Sequence, residues 1–245
     1  GIPALHLSNS RADKLLRVYG WSREKIQETM NRSREPVTFS IREKVMKANV
    51  ELNVIKARSA NVIGEIKSGN RKYRDEYDVL GAHFDHVGIG GPGSGSRKPD
   101  LIQTHPGADD NASGTSGLLE IAEKLSANRG RLKRSVLIVG FDAEEKGLLG
   151  SKHFINNPTI DLDKVVTMIN MDMIGRMKDS SATVGGVGTS LIFEALIDSL
   201  GSDRSFKLSI SKQGFGPSDH ASFYSENIPV LFFFSGIHDD YHTPE

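Results

Sequence analysis

The chain has 245 residues, 37% hydrophobic and 25% charged, and its 31 basic residues balance its 31 acidic ones. This is the composition of a folded globular chain, and a net charge of zero with no Lys/Arg block gives no support to nucleic-acid binding or to a membrane-surface role. Cysteine is absent, which excludes disulfides and zinc–thiolate sites, and no apolar stretch approaches the roughly 18 residues of a spanning helix.

In chain order, SRADKLLRVYG and WSREKIQETMN each place apolar residues at helical spacing after a serine, predicting two short amphipathic helices. From Val37 to Lys67 the pattern turns to alternation in VTFSI, VELNVI and NVIGEI, which predicts antiparallel strands. SGNRKYRDEY reads as a polar hairpin loop, and YDVLGAH as a buried strand. Beyond Gly88 helix and strand alternate: helices at ASGTSGLLEIAEKLSAN, LLGSKHFINN, TSLIFEALIDSLG and SDHASFYSEN, strands at SVLIVGF, KVVTMINM, FKLSIS and IPVLFFF. Strands separated by helices of this length predict an α/β fold, a mixed and mostly parallel sheet with helices on both faces.

GIGGPG, residues 88–93, matches the dinucleotide fingerprint G-x-G-x-x-G after a strand. That motif needs a helix to begin at once, so that its N-terminus holds a pyrophosphate. Here SGSRKPDLIQTHPG follows, with two prolines and no apolar period, so the segment reads as a loop.

Ligands of open α/β sheets bind beyond the carboxyl ends of the strands, and acids and histidines gather there. YDVLGA precedes His83, Asp85 and His86; SVLIVGF precedes Asp142, Glu144 and Glu145; KVVTMINM precedes Asp172; PVLFFFSG precedes His238, Asp239, Asp240 and His242. Asp109 and Asp110 stand just before a predicted helix, where capping alone is the ordinary explanation of paired acids. Five such clusters at one sheet edge exceed what capping explains, and imidazole with carboxylate suits zinc. One catalytic zinc needs three protein ligands; two histidines with at least three carboxylates are the inventory for two ions sharing a bridge. Two ions also explain the adjacent Glu144 and Glu145: Glu145 ligates while Glu144 stays unbound and faces the water held between the metals.

GAHFDHVG, GADDNASG, DAEEKGLLGS, NMDMIGR, SDHASF and DYHTP, in this order, resemble the motifs of the co-catalytic di-zinc aminopeptidases. These are related to secreted bacterial leucyl-type aminopeptidases and to glutamate carboxypeptidase II. The resemblance implies a three-layer sandwich of the zinc-peptidase kind and two zinc ions. It implies His83 and Asp172 on one ion, Glu145 and His242 on the other, and Asp109 bridging them. Glu144 matches the general base, Asp85 the carboxylate that orients the His83 imidazole, and Tyr241 a hydrogen-bond donor to the tetrahedral intermediate. A strained, often cis, peptide follows the bridging acid in the family, which places it at Asp109–Asp110.

The implied function is zinc-dependent aminopeptidase activity on peptides with a free N-terminus, in an extracytoplasmic (secreted or periplasmic) setting. Residues 1–35 are then expected to be the tail of an upstream protease-associated domain with its linker, and residues 36–245 the catalytic domain, lacking the final helix common in relatives. Phe215 is a candidate for the pocket of the first substrate residue, although Phe215 and Phe223 read equally well as core. His220 is expected to make a structural hydrogen bond, and His6, His105, His153 and His238 to stay outside the ligand set. Three alternatives stand beside this reading. A carboxypeptidase or dipeptidase of the same fold needs arginines near the cleft, for which Arg97, Arg176 and Arg204 are the candidates. A cyclising acyltransferase keeps a reduced metal set, and a receptor-like module lacks the ligands.

Overall fold

The computed structural model describes residues 6–38, 40, 47, 56–200 and 206–245. The chain divides into two units, residues 1–55 and 56–245, a division that falls after the expected boundary between residues 35 and 36. In the first unit, α1 (Asn9–Val18) and α2 (Arg23–Ser33) match the two predicted helices. The Ser22 hydroxyl caps α2 by accepting from the Lys25 amide at 3.1 Å, and Arg23 reaches back to Asp13 at 2.6 Å. VELNVI lies wholly, and VTFSI partly, outside the described residues.

The second unit is built on one sheet. Its strands are β1 (Val62–Ile66), β2 (Tyr77–His83), β3 (Ser135–Phe141), β4 (Val165–Met171), β5 (Ser181–Gly185), β6 (Lys207–Ile210) and β7 (Val230–Phe234), in spatial order β1-β3-β2-β4-β7-β5-β6. β2 is flanked in parallel by β3 and β4, with Leu80 level with Ile138 and Ile169, and β7 runs parallel beside β4. β1 is antiparallel to β3, and β5 antiparallel to β7. The sheet is therefore mixed with a parallel centre, as predicted.

Two expectations are corrected. SGNRKYRDEY does not close a hairpin, because β3 lies between β1 and β2. The loop is tied to the start of β3 instead: the Ser68 amide donates to Ser135 Oγ at 3.0 Å, and Ser135 Oγ donates to the Arg74 carbonyl at 2.6 Å. β5 was not predicted, since SATVG offers one large apolar residue and no clear alternation.

Alternation along the central strands sorts side chains to the two faces. Val79, Leu137, Val139, Phe141 and Met168 point one way and pack with Phe154 of α4 (Leu149–Asn156) and Phe223 of α5 (His220–Tyr224). Leu80, Ala82, Val136 and Met171 point the other way, against Leu118 of α3 (Gly114–Ala127). Phe141, Phe154 and Phe223 meet at centroid distances of 5.6 to 6.4 Å, all fully buried. Truncating such a buried ring to alanine costs about 3–5 kcal/mol. Gly81 is required beneath them: a Cβ there would lie 2.6 Å from the Phe141 ring and 2.8 Å from Met168 Cε. Among the described residues no helix is long and apolar enough to cross a membrane.

The chain visits β3 on one side of β2 and then β4 on the other, so a crevice opens at the carboxyl ends of these strands, where the order reverses. The segment from GIGGPG to Gly107 begins no helix; it is a loop pinched by a bridge between Ile89 and Thr104.

Candidate metal centre

Each strand end delivers one part of the site. His83 is the last residue of β2, Asp172 follows β4, and Glu144 and Glu145 follow β3 in a turn where Ala143 and Leu148 take left-handed φ values of 55° and 60°. Asp110 comes from the wide turn Ala108–Ser113 that leads into α3. Asn111 fastens that turn to the end of β4. Its amide donates to the Met171 carbonyl at 3.0 Å, and its Oδ1 accepts from Met173 N at 3.1 Å and Gly114 N at 2.9 Å. His242 arrives from the segment after β7 and is held by the loop that follows GIGGPG. Its Nδ1 donates to the Gly95 carbonyl at 3.1 Å, and its own carbonyl accepts from Arg97 N at 2.9 Å.

Two groups of ligand-type side chains result, one of His83, Glu144 and Asp172, the other of His86, Asp110, Glu145 and His242. Asp110 spans both. Its Oδ1 lies 3.4 Å from His83 Nε2, and its Oδ2 lies 3.0 Å from His242 Nε2. Asp172 Oδ1 is also 3.4 Å from His83 Nε2, and Glu145 Oε2 is 3.1 Å from His242 Nε2.

Electrostatics separates the adjacent glutamates. Burial pushes Glu144 up to about 8, opposed by His83 and reinforced by Asp219, Asp172 and Glu145. Burial would raise Glu145 too, but the adjacent His242 and His86 imidazoles outweigh it and hold this carboxyl below its usual range. Burial disfavours charge on His242, yet Asp110 and Glu145 raise it to about 10. Against the same burial penalty, Asp110, Asp172 and Asp85 raise His83. Asp110 is in turn drawn well below the carboxylate range, as His242 and His83 overcome burial. The site is a negatively charged basin that calls for cations.

Its donor atoms fit zinc. His83 Nε2, His86 Nδ1 and Glu145 Oε1 are buried with no hydrogen-bond partner and converge with the carboxylates, and imidazole with carboxylate is a zinc donor set.

The structure moves one expected residue. Asp109 joins neither group. Its Oδ1 accepts from Gly175 N at 2.8 Å, and its Oδ2 lies 3.4 Å from His238 Nε2. Asp110 takes the place between the groups, because Asn111 anchors the turn one residue later than the acid pair suggests. The cis peptide shifts with it, to Asp110–Asn111.

Other candidates fall as follows. Asp85 contacts His83 mainly through its backbone: Nδ1 donates to the Asp85 carbonyl at 3.1 Å, with the carboxylate at 3.6 Å. Tyr241 stacks on His242 at 3.9 Å and borders a cavity of about 100 Å³ that is walled by Met173, Phe232, Phe234 and Ile237 and floored by Glu144 and Asp172. Phe215 is absent from that wall; it is 63% exposed and meets Tyr224 edge-on at 4.7 Å. His220 makes no structural hydrogen bond through Nδ1; it stacks on Phe232 at 4.3 Å. His105, His153 and His238 join neither group. Arg97 ties the His242 loop, Arg176 pairs with Asp240 at 2.5 Å beside a larger cavity of about 330 Å³, and Arg204 lies outside the described residues. His86, which the motif resemblance does not assign to a metal, stands in the second group. The available signal was its place in GAHFDH, three residues after His83 at the same strand end.

The chain is similar to several known proteins. Leucine aminopeptidase 2 of Trichophyton rubrum is 30% identical over 212 residues, covering 81% of this chain and 39% of that protein. Aminopeptidase YwaD of Bacillus subtilis is 30% identical over 202 residues, covering 76% and 39%. The crystal structure of BSAP, a zinc aminopeptidase from Bacillus subtilis, superposes with a TM-score of 0.58 at 30% identity, over 76% of this chain and 43% of that one. Glutaminyl cyclase from Porphyromonas gingivalis shares the fold, with a TM-score of 0.56 at 24% identity. The chain thus spans about 39% of the length of the curated relatives it matches. Residues 61–245, which carry the whole sheet and every residue of both groups, match Peptidase family M28, and the chain belongs to that family.

Proposed function

We propose that this chain is the catalytic unit of a zinc-dependent exopeptidase that removes residues from the free N-terminus of peptides, with two ions at the strand ends. The observation that carries the reading is the position of Asp110, whose two oxygens face His83 on one side and His242 on the other. A shared carboxylate of this kind is what a two-ion site uses as its bridge. His83 and Asp172 would complete one position, Glu145 and His242 the other.

Zinc bound there supplies Lewis-acid polarisation of the scissile carbonyl and lowers the pKa of water from its bulk value to about 7. The chain's own groups do the rest. Glu144 accepts the proton of the attacking water and delivers it to the departing amine, a role suited to a buried carboxyl that lies beside His83 and Asp172. Tyr241, at the rim of the same cavity, donates a hydrogen bond to the oxygen on which charge develops. The cavity of about 100 Å³ holds one apolar side chain beside Glu144, which favours release of a single terminal residue.

Aminoacyl-p-nitroanilides and their N-blocked analogues, assayed with and without a chelator, test this function. Free substrates should be hydrolysed, the chelator should stop the reaction, and added zinc should restore it. Cleavage of the blocked compounds in preference to the free ones would contradict the proposal.

A further inference from the structure

The second group contains a side chain that the two-ion reading does not use. We propose that His86 is a direct fourth protein ligand of the ion held by Glu145 and His242, so that the two metal positions are unequal. The inference rests on that reading and adds a ligand to it.

His86 Nδ1 is buried, 2.9 Å from Glu145 Oε1 and 3.6 Å from Asp110 Oδ2. Its ligand atom and those of Asp110, Glu145 and His242 all lie within 4.8 Å of one another. The approach to Glu145 is an ion-pair contact at 2.9 Å, and neither Nδ1 nor Oε1 has a hydrogen-bond partner of good geometry. Two buried lone-pair atoms this close, grouped with those of Asp110 and His242, are placed as two ligands of one centre are. The His86 and His242 rings meet edge to face, 5.5 Å apart at 79°, so their nitrogens reach the same carboxylates from different directions. Two imidazole nitrogens and two carboxylate oxygens make up a complete tetrahedral zinc set.

The backbone holds the imidazole there. Gly107 has a left-handed φ of 64°, and a Cβ on it would lie 2.9 Å from His86 Cγ. The turn that presents Asp110 therefore also seats the His86 ring, and both ligands are set by one piece of chain.

The other position differs. His83, Asp172 and the shared Asp110 give three protein ligands, with Glu144 beside them as the proton acceptor. Three ligands with an open place is the arrangement of a catalytic zinc, and four is that of a retained, structural one. The ion at His86 should accordingly be the tightly held one, and the ion at His83 the exchangeable one.

Zinc X-ray absorption on the fully loaded chain tests this directly. Three imidazoles (His83, His86 and His242) should be shared between two ions, and His86→Ala should remove one. Competition with a chelator should show one ion weakened by more than about 100-fold in His86→Ala, beyond the 10–100-fold typical of a group acting through a ligand, with free imidazole restoring much of the loss. An imidazole count matching only His83 and His242 in the wild-type protein would overturn the inference while leaving the two-ion reading intact. Wild-type protein that binds fewer than two zinc ions would overturn that reading, and this inference with it.

Discussion

Asp85 and Glu144 are joined by a hydrogen bond from the Glu144 amide to Asp85 Oδ1 at 2.9 Å. The other oxygen of the same carboxylate accepts from Glu145 N at 3.2 Å. One acid at the end of β2 thus fixes the turn after β3, and the two glutamate side chains diverge from it. Glu145 runs to His86 and His242, while Glu144 stays in the group of His83 and Asp172. The cost of adjacent acids is relieved because each has a different environment.

Asp85 should therefore matter for both ions although it belongs to neither group. Asp85→Asn turns an acceptor of two backbone amides into a group that satisfies one at most. Zinc affinity, read by competition with a chelating dye, should fall about 10–100-fold. Affinity within about twofold of wild type would refute the anchoring role.

Asp109 and Asp110 separate most sharply by substitution. Asp110→Asn should lose zinc and nearly all turnover, since its two oxygens serve both groups. Asp109→Asn should retain zinc, because its Oδ1 bonds Gly175 N and it belongs to neither group. Metal content after gel filtration distinguishes them, and equal loss from both variants would contradict the assignment.

The neighbouring glutamates should fail in different ways. Glu144→Gln keeps a side chain of the same shape without a proton acceptor, so zinc content should stay at the wild-type level while kcat falls about 10²–10⁴-fold. Glu145→Gln should lose zinc as well. Near-normal kcat in Glu144→Gln would remove it from the role of base.

His220 makes a pH prediction independent of the metals. Burial lowers its pKa from an ordinary 6.5 to about 4. Above pH 6.5 the ring is neutral in folded and unfolded chains alike. As pH falls from 6.5 towards 4 the unfolded chain binds a proton that the folded one refuses, so folding stability declines, by on the order of 3 kcal/mol in all. His220→Phe keeps a ring against Phe232 and removes this loss. Urea unfolding at pH 7.5 and 5 should show a smaller decline for the variant, and parallel declines would show that His220 contributes none of it.

The central strands were legible because YDVLGAH, SVLIVGF and KVVTMINM are apolar runs of strand length separated by helix-length segments. Strand ends rich in acid and imidazole located the site for the same reason. Several features were not legible, each for a physical cause. The choice between Asp109 and Asp110 depends on the turn geometry fixed by Asn111, which no spacing rule encodes. The partner of β1 depends on the tertiary contacts of Ser68 and Ser135, because a polar loop between two apolar runs reads as a hairpin whether or not the runs pair. The approach of His86 to Glu145 depends on the close packing of Gly107, visible only once the loop is folded. The glycine-rich loop was read as a loop, but its work in holding His242 through Gly95 and Arg97 had no local signature.

The central claim is that the acids gathered at the strand ends are neutralised by two divalent ions that share Asp110. Anomalous diffraction at the zinc edge, from crystals of the zinc-loaded chain, tests it most directly. The account predicts two peaks, one between His83, Asp172 and Asp110 and one between Asp110, Glu145 and His242. A single peak, or a pair with Asp110 touching neither or only one, would contradict it.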